Sequence, residues 1–428
     1  MKNPPIRYML VVGTFFLSVL LYVDRACIST AKDAIVRDLS LSDIQWAWVL
    51  ASFAFGYALF QTPGGMMADR LGSRGVLTVV VSAWSVFTGM TAIAWSFSSL
   101  LVIRFLFGVG EAGAFPGIAK VLYSWIPVNE RGLIKGINFS GSRIGAAIAM
   151  PLISALIVGI GWKLTFCVLM LVGFAWSTFW WYWFRNDPSE HASISDEERE
   201  YIFAKRQQDV LDKSATIKGQ GPQPMTVAML FSSASLWLMM IQYFASNFTF
   251  FFALSWLYPY VKDTYNLGAI AAGFAAMIPL LAGALGNIVS GALVDCLYRI
   301  GWSGWSRKLP AIVGFTLAAL GMVMSLNQAS VFGAVFWLSV AIFGSDMTLS
   351  PSWSFCIDIG GRNAGAVSGT MNMAGNLGSA ITALAFAYMD KSTKGNSGFF
   401  YTAACLSILA IACWFAVNSE QRIEPSPR

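Results

Sequence analysis

Apolar residues run in long stretches along nearly the whole chain, separated by short polar breaks. About 20 apolar residues cross a bilayer as a helix, so each stretch reads as a membrane span. The pattern predicts spans over 8–33, 46–68, 76–97, 99–120, 132–158, 163–184, 233–261, 268–293, 309–327, 330–356, 364–389 and 396–418. These make an all-α membrane protein of twelve transmembrane helices in two six-helix bundles, residues 1–184 and 231–428. Between them lies one polar segment, 185–230, in which Asp187-Pro188 ends the sixth helix. Ser195 followed by Glu198 has the form of a capping box and starts a charged helix expected to run through Asp212. Gly219 to Pro224 breaks it, and a solvated linker helix with a cytoplasmic location is the expectation there.

Composition supports this pattern: 56% of residues are hydrophobic and 12% charged, with a mean hydropathy of +0.62, against about 25% charged in soluble domains. The six cysteines (27, 167, 296, 356, 405 and 413) are scattered without CxxC spacing, so they read as packing residues, with no zinc site, disulfide framework or cofactor implied. The one histidine, His191, lies in the polar segment, so any proton carrier inside the membrane must be a carboxyl. No cleavable signal peptide is evident, because the first apolar run leads straight into Asp24-Arg25.

The net charge of +6 is accounted for by where the charges sit. Leaving out the middle segment, the termini and the loops on their side hold thirteen Lys and Arg, and the opposite loops hold six. The positive-inside rule then puts both termini in the cytoplasm. The excess orients the chain in a bacterial inner membrane, and a nucleic-acid partner is not expected.

Charges inside the spans carry the chemistry, since a charged side chain in hydrocarbon costs a few kcal/mol and usually faces a protein-lined cavity. Asp24 and Arg25 are adjacent, so they project about 100° apart on a helix and pair poorly. Arg25 offers a planar fork that meets a carboxylate with two hydrogen bonds, and Tyr22 shares its face. Arg104 and Glu111 are two turns apart on one face, about 10 Å along the axis, which suits an ion pair that can switch. Hydrocarbon favours the neutral acid there and Arg104 the ionised one. Arg143 falls near the middle of the fifth span, beside Ser142. It either clamps a second anionic group or neutralises Glu111 or Asp346, and the residues leave both readings open, with a slight lean to the second. Tyr57 with Gln61, Tyr243 with Asn247, Ser350 with Trp353, and Asn372 with Asn376 supply hydroxyl, amide and aromatic groups that could line a cavity. Each has a plain structural alternative, because intramembrane Ser and Asn also bond between helices. Gly113 and Gly117 read as packing residues, and Asp346 either as a buried acid or as a cap near Ser350-Pro351.

The two halves echo one another: Gly65, Asp69, Arg70, Gly72 and Arg74 follow the second span, while Gly291, Asp295 and Arg299 follow the eighth. Weak symmetry of this kind marks transporters built from repeated halves. Glycine lets helix ends approach closely, and the acid can face a helix N-terminus, which makes Gly65, Asp69, Arg70 and Arg74 a candidate conformational gate.

That loop resembles the signature of the major facilitator superfamily between helices two and three, with serine in place of one usual basic residue. Tyr22-Val-Asp24-Arg25, the run from Arg104 through Glu111 to Pro116-Gly, and Asn186-Asp-Pro188-Ser-Glu-His191 with Ile194-Ser195 are similar to its anion:cation symporter family. Members of that family carry sugar acids, phthalates, glutamate or sialic acid. The resemblance implies a major facilitator fold and proton-coupled organic-anion transport by alternating access. It also implies that Arg25 holds the substrate carboxylate, that Asp24, Glu111 and Arg104 serve proton coupling, and that Ser350, Trp353 and Asn372 contact substrate. In sugar-acid members the position of Ser142 can be a glutamine that contacts hydroxyls.

The expectation is therefore a monomeric symporter, not an enzyme, importing a small organic anion with protons, most simply a sugar acid. A carrier of aromatic or dicarboxylate anions is the nearest alternative, and a substrate-sensing receptor on a transporter fold is another. A membrane-embedded enzyme is disfavoured by the lack of HExxH, clustered metal ligands or a Ser/His pair. Sodium coupling is less in keeping with the titratable Asp24 and Glu111.

Overall fold

The computed structural model describes residues 5–206, 226–267, 269–326, 328–392, 397–418 and 423. Among these there is no strand. The first bundle holds Ile6–Thr30 (continued by Lys32–Leu39), Asp43–Leu71, Ser73–Thr91, the pair Phe97–Glu111 and Ala114–Trp125, and the run Arg131–Trp183. That last run is two spans folded back at Gly161, whose φ of 80° is left-handed and suits glycine. The second bundle holds Ala234–Ser255 (continued by Leu257–Thr264), Ala269–Arg299, Lys308–Ser325, the pair Val331–Met347 and Leu349–Gly360, Ala364–Ser392 and Ser397–Ala416.

The fourth and tenth spans differ from their expected form, each being two helices with a short break. Pro116 and Pro351 explain it, because each stands third in the second helix and has no N–H for the carbonyl four residues back. Large apolar side chains such as Phe16, Val158, Leu171 and Phe332 are exposed on the outside of the bundles, which only a lipid environment makes favourable. Eight of the twelve spans are long and apolar enough to cross a membrane by length and composition alone. Among the described residues the second, third, fifth and eleventh do not meet that measure, and of these the second, fifth and eleventh pack against the opposite half.

Close approach between halves depends on glycine. A methyl group added to Gly65 of the second span would collide with the carbonyl of Gly365 in the eleventh. One added to Gly136 of the fifth would collide with the carbonyl of Asn287 in the eighth.

The segment after the sixth span is docked rather than freely solvated. Ser195 Oγ accepts from the Glu198 N–H at 3.2 Å and starts the helix Asp196–Lys205. The Glu198 carboxylate does not complete the box. It accepts instead from the Ile6 and Arg7 backbone N–H groups at 2.8 and 3.0 Å, capping the first span. Glu130 joins the cluster, accepting from Arg7 Nε at 3.2 Å and Tyr201 Oη at 2.7 Å. Ile202 is fully buried. His191 lies edge-on to Trp125 and Trp183, and desolvation together with nearby Arg185 lowers its imidazole pKa. The expected continuation to Asp212 and the break before Pro224 lie outside the described residues.

Glu198→Ala should therefore destabilise the protein by about 1.5–3 kcal/mol, the range for hydrogen bonds to a charged group. Thermal unfolding of the purified protein in detergent checks this, and an unchanged midpoint would show that the docked segment does not brace the first span.

Candidate substrate-binding cavity

A narrow cavity of about 30 Å³ lies between the halves. Its lining includes Tyr22, Arg25, Tyr57, Arg143, Asn247, Trp353 and Asn372, seven of the nine expected contact residues, together with Tyr243 and Asn376. Ser142 and Ser350 are not brought to it. Ser142 is fully buried with its hydroxyl unpartnered among the described residues. The Ser350 hydroxyl donates to the Gly132 carbonyl at 2.5 Å, joining the tenth span to the fifth. Gln61, one turn beyond Tyr57, is likewise buried and outside the lining.

Arg25 is paired with Glu111 rather than with a residue of its own helix: Nε donates to Glu111 Oε1 at 2.9 Å. The expected Arg104–Glu111 contact is not the one that forms. The first span reaches Glu111 from across the bundle, whereas Arg104 is held over the rings of Phe107 and Phe53, at 4.4 and 5.2 Å. The Arg25 guanidinium lies over the Tyr57 ring at 4.5 Å, and its Nη2 has no hydrogen-bond partner among the described residues. One donor of its fork is thus used and another is uncommitted. The second carboxylate oxygen of Glu111 and both oxygens of Asp24 are also buried and without partners.

Arg143 is in the opposite condition. Its Nε and Nη2 donate to the two oxygens of Asp346 at 2.8 and 2.6 Å, a bidentate pair between the fifth and tenth spans. Its Nη1 donates to Tyr22 Oη at 3.3 Å. Phe250 lies flat against the guanidinium, 3.5 Å from ring centre to Cζ.

Aromatic residues close the cavity toward the face that bears the termini. Phe115, Phe139 and Trp353 pack with ring centres 5.5–5.7 Å apart, and Trp353 Nε1 donates to Tyr243 Oη at 2.8 Å. Beyond them Lys135, counted above among loop charges, is fully buried with its ammonium 4.4 Å from the Trp353 ring centre. Sequence reasoning missed Lys135, Phe115, Phe139 and Phe250. The one available signal was that Lys135 lies inside the expected fifth span, a turn before Phe139.

The candidate gate lies further along. Asp69 accepts from the Gly365 and Ala366 N–H groups at 3.0 and 2.7 Å, capping the eleventh span. Asp295 does the same for the fifth, accepting from Gly132 and Leu133 at 2.9 and 2.7 Å. Each acid thus caps a helix of the other half, and Asp358 bridges Arg131 and Arg307 beside them. Arg74 stays within its own bundle, with Nε donating to the Trp181 carbonyl at 2.8 Å, and Arg70 is exposed.

A polar, charged cavity between two apolar six-helix bundles, closed by matched contacts from each half, defines a multi-pass membrane transporter. The profile of the Major Facilitator Superfamily matches residues 14–383, and the chain belongs to that superfamily. It is 30% identical over 411 residues to a probable sulfoacetate transporter of Cupriavidus necator, covering 96% of this chain and 93% of that one. It is 28% identical to a probable galactarate/D-glucarate transporter of Escherichia coli, covering 99% and 97%. A hexuronate transporter of Bacillus subtilis is also 28% identical, covering 96% and 93%. Among solved structures, a proton:xylose symporter superposes with a TM-score of 0.74 at 15% identity over 96% of this chain and 95% of that one. A human organic anion transporter superposes equally well, at 14% identity over 96% and 100%.

Two substitutions separate the cavity from the gate. Arg25→Lys should weaken anion binding by about 1.5–3 kcal/mol, roughly tenfold to a hundredfold and more, because an ammonium lacks the planar fork. Titration of the folded variant reads this directly, and near-normal affinity would remove Arg25 from the site. Asp69→Asn weakens the cap on the eleventh span and should slow exchange across a membrane while leaving affinity nearly unchanged. A large loss of affinity with normal exchange would contradict its place outside the cavity.

Proposed function

We propose that this chain imports an organic anion, a sugar-acid monoanion, together with protons, by opening its cavity alternately to the two sides of a bacterial inner membrane. Arg25 lines the central cavity and keeps one buried donor without a hydrogen-bond partner among the described residues, and this is the observation that carries the reading. Tyr22, Tyr57 and the amides of Asn247, Asn372 and Asn376 surround it with the mixture that a hydroxylated chain needs. The termini lie in the cytoplasm by the charge asymmetry of the loops.

Charge balance supports proton coupling. Around the cavity Arg25, Arg104 and Arg143 are matched by Asp24, Glu111 and Asp346, with Lys135 a further buried cation beyond the aromatic layer. An incoming carboxylate on Arg25 competes with Glu111 for the same guanidinium and adds one negative charge, and a proton on Glu111 restores the balance. A monoanion entering with one proton is neutral and gains nothing from the membrane potential. A second proton adds about 2.3 kcal/mol per 100 mV, and the unpartnered carboxyl of Asp24 is the second site.

Glu111→Gln mimics the protonated acid. In proteoliposomes it should lose accumulation driven by an imposed pH gradient yet keep exchange of labelled for unlabelled substrate. Accumulation that persists would exclude Glu111 as the coupling acid. A panel of aldonates, hexuronates, aldarates and aromatic acids, screened for thermal stabilisation of the purified protein, tests the substrate class. Accumulation driven by a sodium gradient at equal pH would replace protons as the coupling ion.

A further inference from the structure

The relatives' substrates fall into two charge classes. Hexuronates carry one anionic group, whereas sulfoacetate, galactarate and glucarate carry two, so similarity alone leaves the number open. The cavity itself presents two guanidinium groups, and their states differ. Arg25 retains an uncommitted donor. Arg143 is largely committed: Nε and Nη2 give their bidentate edge to both oxygens of Asp346, Nη1 donates to Tyr22, and Phe250 covers one face, leaving one N–H on each terminal nitrogen.

Asp346 occupies the position in its half that Glu111 occupies in the other. Glu111 is the last residue of its helix, and Pro116 follows five residues on. Asp346 is one residue from the end of its helix, and Pro351 also follows five residues on. Both acids therefore sit just before the break of the fourth or tenth span, and both hold an arginine of the first half. Glu111 holds its arginine with one oxygen and leaves the fork partly open, while Asp346 takes the fork with two. Asp346 is 1% exposed and its partner 3%, so neither can exchange the other for bulk water.

We propose that Asp346 sets the charge of the cargo: by occupying the Arg143 fork with a carboxylate of the protein's own, it reserves the cavity for substrates with a single anionic group. The proposal rests on the organic-anion reading above. A second carboxylate or a sulfonate would meet an arginine whose charge Asp346 already neutralises, and to gain the bidentate edge it would have to displace Asp346, leaving a buried carboxylate without that partner. A neutral hydroxyl in that place requires nothing from Arg143. Asp346→Asn keeps the shape but leaves Arg143 charged and uncompensated, and such a site recruits an anion.

The test compares acids that share a carbon chain and differ at one end, galactonate with galactarate and gluconate with glucarate, with sulfoacetate as a compact dianion. Affinities are measured by calorimetry on the full-length protein in detergent. The unmodified protein should bind the aldonate at least tenfold more tightly than its aldarate. Asp346→Asn should narrow or reverse that ratio by at least tenfold, Asp346→Glu should keep it, and the double variant Arg143→Gln/Asp346→Asn should restore it without burying a lone charge. An unchanged ranking in folded Asp346→Asn, or dianions bound more tightly by the unmodified protein, overturns the proposal. The second criterion needs no variant, so a failure of Asp346→Asn to fold does not shelter it. If the unmodified protein binds none of these acids while its fold is intact, the organic-anion reading itself falls.

Discussion

A guanidinium held between apolar helices needs a carboxylate within reach, and that need organises the interior of this protein. Leaving water costs each ion several kcal/mol, and only good geometry with further hydrogen bonds offsets it. Arg25 finds Glu111 within the first bundle, and Arg143 finds Asp346 across the bundle boundary. Aromatic faces supply the rest: Tyr57 under Arg25, Phe107 beside Arg104 and Phe250 against Arg143. Of these rings Tyr57 and Phe250 also form walls of the cavity, so wall and anion site come there from one arrangement.

Much of this was legible in the chain, and the reason differs from element to element. The spans could be read because hydrocarbon demands long apolar runs, and the gate loop because Gly65 and Asp69 recur as Gly291 and Asp295. What could not be read is partner choice across helices. Arg104 and Glu111 share a face by spacing, yet Arg25 reaches Glu111 from a span 86 residues away in sequence. Ser350 looked like a cavity residue but spends its hydroxyl on the Gly132 carbonyl, 218 residues distant. Lys135 looked like a loop charge because it stands only three residues inside the expected fifth span, and the structure buries it against Trp353 of the other half. For Arg143 the sequence could only frame the alternatives, and among the candidate carboxylates it is Asp346 that the guanidinium meets.

The middle segment shows how a local signal can be right in form and different in use. Ser195 starts its helix as the capping pattern implies, but Glu198 turns to the first span and caps that instead. The stretch from Asp187 to Lys205 thereby becomes part of the first bundle, tied through Glu130, Tyr201 and the Trp125–His191–Trp183 cluster. A polar segment that composition marks as a tether is, over its described part, a layer of one domain.

The two aspartates at the face bearing the termini have a mechanical meaning that their hydrogen bonds alone do not convey. Asp69 and Asp295 bond chiefly to backbone N–H groups at helix ends, and Lys120 Nζ stands 3.9 Å from Asp69. Helix-end N–H groups and carboxylates are both readily solvated, so water could replace each partner if the halves were to part, at about 1.5–3 kcal/mol per bond, the range for hydrogen bonds to a charged group. A latch of this kind is made of exchangeable parts. It can be undone without stranding a charge, whereas parting the buried pair of Arg143 and Asp346 would leave two ions uncompensated.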